Sequence, residues 1–334
     1  MLCLTPVFLL CSCVQACNRA WARVPQSYPV WNDFKEAAQT IVPSQLALLD
    51  VIQPPPHDVD GNDWKAIHEA SWKSFTGYDA VKRRLYQAVV SPWRRVYLST
   101  APSNPTVDTF IHPPSGVLFY GPSGCGKTVC AGYLASSLSL PMIRVRAADV
   151  LDKWLGGSEA TIRSLFARAR SAAPCILFLD EIDAIATNRS SSDDSVDVMS
   201  RVLSTLLNEM DGVSTDRMAP RVLVVACTNR KEALDAALLR PGRLDEHVEL
   251  QPLKRAEEVE KVLVQYLGRA APPSKGTLDL HGVAEELLKQ KSLTGAELEG
   301  LCRASVLKAM RRATTLDQNI SVTRDDLITS LTRS

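Results

Sequence analysis

Between residues 116 and 251, short uninterrupted apolar runs alternate with longer segments of helical period. The runs are GVLFY (116–120), MIRVR (142–146), CILFLD (175–180), RVLVVACT (221–228) and HVELQ (247–251). Runs that do not alternate apolar with polar belong to strands covered on both faces, as in a parallel sheet with helices on each side. The pattern predicts an α/β fold built on a parallel five-stranded sheet. After about residue 253 the runs stop and helical periodicity takes over. In AELEGLCRASVLKAMRR, residues Leu298, Leu301, Cys302, Ser305, Ala309 and Met310 fall near one helix face, with Thr294 as N-cap and Glu297 completing a capping box. A small all-helical lid domain is the expectation for 254–334, with the α/β domain over 64–253 and an N-terminal extension over 1–63. Residues 52–61 and 101–115, rich in Pro, Ser, Asp and Gly, read as connectors.

Composition narrows this picture in three ways. A net charge of +1 over 334 residues gives no electrostatic footprint for nucleic acid. Nine cysteines, mostly single within apolar runs (Cys175, Cys227, Cys302), look like buried free thiols of a reducing compartment. Cys11, Cys13 and Cys17 lack metal-site spacing and read as packing. No apolar run is long enough to span a bilayer. MLCLTPVFLLCSCVQA looks like a signal-peptide core, but no Lys or Arg precedes Arg19, so a cytoplasmic location is expected over secretion or import. LCSCVQACNRAWAR from Leu10 also echoes LCRASVLKAMRR from Leu301. That suggests residues 1–45 are the tail of a preceding, similar module; two unrelated amphipathic helices would leave the same trace.

Chemistry is concentrated where strands end. GPSGCGKT fits G-x-x-x-x-G-K-[ST] between a strand and a helix. Gly121, Gly124 and Gly126, with Pro122, Ser123 and Cys125 between them, let main-chain amides converge on phosphate oxygens. Lys127 would reach the β- and γ-phosphates, and the Thr128 hydroxyl would ligate Mg²⁺. CILFLDE ends with Asp180, suited to hold Mg²⁺ directly or through water, and Glu181, suited to activate an attacking water. RVLVVACTNR ends with Thr228 and Asn229, and such an amide could position that water, though Asn also commonly ends strands as a turn residue. ALLRPGRLDE carries Arg240 and Arg243 around a Pro-Gly turn, suited to stabilising an anion in a neighbouring subunit; alone, the stretch reads equally as two solvated arginines. DKWLGGSEA sets Trp154 and Leu155 between Lys153 and Gly156, either an exposed gripping loop or a Trp anchoring the next helix.

In this order the motifs resemble an AAA ATPase module over about residues 64–331, most like the second module of tandem AAA proteins of the valosin-containing-protein type and their spermatogenesis-associated and ribosome-maturation relatives. The resemblance implies that GPSGCGKT is the Walker A loop and ILFLDE the Walker B strand. It also implies that Asn229 is the sensor-one residue and that Arg240 and Arg243 are arginine fingers. Lys153, Trp154, Leu155 and Gly156 become the substrate pore loop, and Gly295 and Ala296 the lid segment that approaches the nucleotide. WKSFTGYDAVKRRL resembles the family's adenine-flanking segment, with Ser74, Phe75 and Thr76 in place of Asp-Ile-Gly; WNDFKEAAQTIVPS resembles the link between modules. Gly157 replaces a Glu, and Lys231 a Pro.

The resemblance implies an ATP- and Mg²⁺-dependent ATPase that assembles, with itself or related AAA subunits, into a ring, a hexamer by the family pattern. That ring would draw a protein substrate through its pore, with adaptor proteins as further partners. Alternatives within the resemblance are a microtubule-severing or membrane-complex disassembly ATPase and a peroxisome-biogenesis ATPase. A ring scaffold that binds ATP without hydrolysing it is the alternative of a different class.

Overall fold

The computed structural model describes residues 50–52, 72, 75–98, 113–152, 157–186, 194–214, 222–270, 279–312 and 322–331. In chain order these include β1 (Asp50–Ile52), α1 (Asp79–Leu85), β2 (Gly116–Tyr120), α2 (Lys127–Leu138), β3 (Met142–Arg146), α3 (Ala147–Asp152) and α4 (Ser158–Ser171). They continue with β4 (Cys175–Asp180), α5 (Asp194–Ser214), β5 (Val222–Thr228), β6 (Glu246–Glu249), α6 (Ala256–Ala270), α7 (Leu280–Gln290), α8 (Gly295–Arg312) and α9 (Arg324–Leu331).

All five apolar runs became strands, and they pair in parallel in the order β3-β4-β5-β2-β6. A sixth strand departs from the expectation: β1 adds antiparallel to the outer edge of β3. It is only three residues long and borders a proline-rich stretch, so it has too little alternation to be legible beforehand.

The sheet is covered on both faces, and the side chains of each strand divide between them. Val117, Phe119, Ile176, Phe178 and Val225 join Cys130 and Leu134 of α2 in one apolar cluster. Leu118, Leu177, Leu179 and Val224 join Ile162 and Phe166 of α4 and Val202 and Leu206 of α5 in the other. Two-sided burial is thus the physical reason for the unbroken apolar runs. The first cluster extends into the C-terminal helices through Val259, Leu263, Leu298 and Leu301, so one continuous core underlies both the sheet and the helical region.

α8 begins as its sequence predicts. The Thr294 hydroxyl accepts from the Glu297 amide at 3.3 Å, while Glu297 Oε2 accepts from the Thr294 amide at 2.8 Å. Leu298, Leu301, Cys302, Ser305 and Ala309 are buried as expected. Met310 is not; it is 49% exposed, because one residue past the buried Ala309 the helix has turned by about 100°. The cysteines among the described residues are all buried free thiols, including Cys175, Cys227 and Cys302. Desolvation pushes the thiol of Cys175 up to about 12 and holds it protonated. No helix among the described residues is long and apolar enough to cross a membrane. The amino-terminal echo, Cys11, Cys13 and Cys17 lie outside the described residues.

Phe178 has no exposed surface at the centre of β4 and packs in the cluster that joins sheet to lid. Phe178→Ala is expected to cost about 3–5 kcal/mol in urea unfolding. A loss under about 1 kcal/mol would show that this cluster is not the load path between the two regions.

Candidate nucleotide-binding and hydrolysis site

Parallel pairing brings three strand ends level along one edge of the sheet. β5 lies between β4 and β2, with Leu179 opposite Ala226 and Tyr120 opposite Thr228. The turns after Asp180, Thr228 and Tyr120 therefore stand side by side at the carboxyl edge, where open α/β sheets bind ligands.

The phosphate loop takes its shape from its glycines. Gly121, Gly124 and Gly126 have φ of 139°, 81° and 83°, backbone that L side chains rarely adopt. Their surroundings also leave no room: a Cβ on Gly121 would stand 2.1 Å from the Leu250 carbonyl oxygen, and one on Gly124 would stand 3.1 Å from Ala296 Cβ. Pro122 and Ser123 at the tip are exposed, whereas Cys125 is buried. The Cys125 thiol lies beside the Tyr78 hydroxyl, and burial raises both groups above their ordinary ranges. Phe75, one of the departures from the family pattern, packs under the loop with its ring edge 3.3 Å from where a Gly126 Cβ would be. It stacks on Tyr78 at 5.5 Å, so this segment supports the loop from below.

Lys127 opens α2 and donates from Nζ to the carbonyls of Gly121 and Pro122, both at 2.8 Å. Its ammonium is held at the mouth of the loop, and desolvation there lowers its pKa. Next to it, the Thr128 hydroxyl donates to Asp180 Oδ2 at 3.2 Å. The two proposed metal-side groups, from α2 and from the end of β4, thus meet. Oxygen donors from one hydroxyl and one carboxylate suit Mg²⁺, which takes few protein ligands and completes its shell with water and phosphate. The residues present fit both ATP and the ion.

Glu181 follows with φ of 54°, a left-handed turn that breaks β4 and leaves its carboxylate exposed at the edge. Asn229 is exposed at the end of β5. Asp183, which motif reading passed over, and Lys231, noted there only as a departure from the family pattern, tie these turns together. The Thr228 hydroxyl donates to Asp183 Oδ1 at 3.0 Å and accepts from the Arg230 amide at 3.0 Å, so Asp183 braces the β4 turn against the β5 turn. Lys231, where the family has Pro, lies 4.5 Å from the ring centroid of Tyr120 and braces β5 against β2.

The lid meets the loop directly. The Ala296 amide donates to the Gly124 carbonyl at 3.0 Å, and a Cβ on Gly295 would lie 3.5 Å from that same oxygen. Gly295 and Ala296 thereby stand against Gly124 of the phosphate loop.

The two arginines behave differently. Arg240 is exposed beside the Pro241-Gly242 turn, whose Gly242 amide donates to Asp245. Arg243 is clasped within the chain. Its Nε and Nη2 each lie 2.8 Å from one oxygen of Asp211 on α5, and its Nη1 donates to the Ala237 carbonyl at 2.6 Å. The clasp lowers the pKa of Asp211 and raises that of Arg243, chiefly through the hydrogen bond between them. The signal for Asp211 was an acidic residue near a helix end, too common to single out. Lys153, Trp154, Leu155 and Gly156 lie outside the described residues.

With this geometry in view, the comparisons are specific. Residues 117–252 match the profile of the ATPase family associated with various cellular activities (AAA). The chain carries an AAA-family ATPase domain. It is 37% identical over 280 residues to Protein SAV of Sulfolobus acidocaldarius, covering 84% of this chain and 32% of that protein. It is 40% identical over 220 residues to the peroxisomal ATPase pex6 of Schizosaccharomyces pombe, covering 66% of this chain and 23% of that one. With the cell division cycle protein 48 homolog of Archaeoglobus fulgidus it shares 34% identity over 279 residues, 84% of this chain and 34% of the relative. The chain spans about a third or less of the length of these relatives.

Within the AAA domain, Gly121→Ala should clash with the Leu250 carbonyl, lowering the melting temperature and weakening ATP binding at least tenfold. Gly132→Ala is the control. It lies in α2 with nothing within 4 Å of a new Cβ, and should stabilise by about 0.5–1 kcal/mol. Equal effects at the two positions, in thermal melts and ATP-analogue titrations, would contradict the close approach at Gly121.

Proposed function

We propose that the chain is a magnesium-dependent ATPase subunit of a protein-remodelling AAA ring. One observation carries this reading: the phosphate loop, the Thr128–Asp180 pair, Glu181 and Asn229 converge at the carboxyl edge of three adjacent strands. Lys127 and the loop amides bind and orient the triphosphate, while Thr128 and Asp180 would hold Mg²⁺, which would supply charge neutralisation to the phosphates. Glu181, exposed and separate from the Thr128–Asp180 pair, takes the proton of the attacking water, and Asn229 orients that water. The lid contact at Gly124 reports what the loop holds and passes it to the helical region.

Arg240 is the finger free to reach a neighbouring subunit's nucleotide, with Arg243 fixing the turn that presents it. Trp154 and Leu155 then grip a polypeptide in the pore, and hydrolysis moves them. The names of the fungal relatives, peroxisomal ATPases of Schizosaccharomyces pombe and Komagataella among them, favour a second, narrower reading: remodelling in peroxisome biogenesis.

Glu181→Gln should keep ATP binding and lower turnover by about 10²–10⁴-fold. Unchanged turnover would sink the assignment of the base. Proteins held by this ATP-locked variant separate the two readings, since peroxisomal import factors would have to be among them for the narrower one.

Mixing experiments test the finger. Arg240→Ala subunits should silence ATP hydrolysis on wild-type neighbours by about 10³-fold in steady-state assays. Activity that falls only in proportion to the mutant fraction would count against action between subunits.

A further inference from the structure

Arg144 belongs to none of the motifs, yet its guanidinium lies inside the site. Its main chain is held on both sides in the sheet, opposite Phe178 of β4 and opposite Asp50 of β1. Phe178 and Asp180, two residues apart, project from the same face of β4, so Arg144 reaches Asp180 on the diagonal. Its Nη2 lies 3.2 Å from Asp180 Oδ2, the very oxygen that accepts the Thr128 hydroxyl. The side chain is 29% exposed, and its buried Nε has no hydrogen-bond partner. A cation with spare donor capacity therefore sits on the carboxylate that the ATPase reading gives to Mg²⁺.

A neutral donor in that place would orient the carboxylate and help the metal. A guanidinium does the same orienting but adds charge. Coulomb energy grows with the product of charges, and a +1 to +2 repulsion across a few ångströms of partly buried site outweighs the fixing of Asp180's two short torsions. Competition should win over preorganisation.

We propose that Arg144 is a positioning residue that holds Asp180 as an ion pair and so raises the free Mg²⁺ concentration at which ATP is bound in its metal-complexed form. The inference rests on the ATP–Mg²⁺ reading of the site. Binding of the divalent ion must draw Oδ2 away from the guanidinium, or share it, each time the site loads. The pair thereby makes the site responsive to Mg²⁺ supply as well as to ATP.

The test uses the full chain and a fluorescent non-hydrolysable ATP analogue, with Mg²⁺ titrated and binding read by anisotropy. Arg144→Met, which keeps the apolar stem and removes the charge repulsion, should lower the Mg²⁺ midpoint by about tenfold. Arg144→Gln, a neutral donor, should lower it at least as far and serves if the Met variant does not fold, as judged by its melting curve. Arg144→Lys, which keeps the charge, should stay near wild type. A midpoint that is unchanged or raised in both neutral variants overturns the inference and leaves the ATPase reading standing. A wild-type chain that binds no analogue at any Mg²⁺ concentration overturns the ATPase reading and the inference with it.

Discussion

Main-chain pairing of β5 with β4 on one side and β2 on the other fixes the spacing of three turns that are far apart in sequence. Each turn contributes groups that do little alone: a carboxylate pair, an amide, a ring of main-chain N–H groups. Side by side they bring together the kinds of group that a polyanion and a hard cation require. The ladder can hold this spacing only because its strands are apolar on both faces and covered by helices on each. Cross-braces then lock the turns to one another, Thr228 to Asp183 and Lys231 to Tyr120. Fold stability and site geometry are therefore one property of this chain, not two.

The lid adds a second layer to that dependence. Its third helix, α8, is capped by its own Thr294 and Glu297, so its amino terminus is well formed where it meets the loop. Docking occurs through small residues, Gly295 and Ala296 against Gly124, where larger ones would force the backbones apart. Shared core residues continue from the sheet into the lid helices. The phosphate loop and the C-terminal helices are therefore joined both by a main-chain hydrogen bond and by shared core packing.

Much of this was legible beforehand because it is written in period and punctuation. Unbroken apolar runs announced the five parallel strands, and the glycine spacing in GPSGCGKT announced a tight loop after β2, whose three glycines take positive φ. What escaped notice was pairing between single polar residues at long range. Arg144 stood in plain view as the one charge inside MIRV, yet its meaning depends on a diagonal across two strands that no local pattern encodes. The same holds for Asp211, which acquires a role only when α5 folds back to Arg243. Met310 failed for the opposite reason. It lies at the rim of a helical stripe, where periodicity alone cannot say on which side the neighbouring surface ends.

The Arg243–Asp211 clasp has a mechanical meaning. Asp211 is two residues from Glu209 on α5, and Glu209 is bound to Arg170 on α4 at 2.6 Å. α4 in turn starts at Ser158, just after the segment that holds Trp154 in sequence. Two ion pairs thus gear the arginine turn, α5 and α4 into a single train. A shift of α4 against α5 would therefore also strain the turn that carries Arg240.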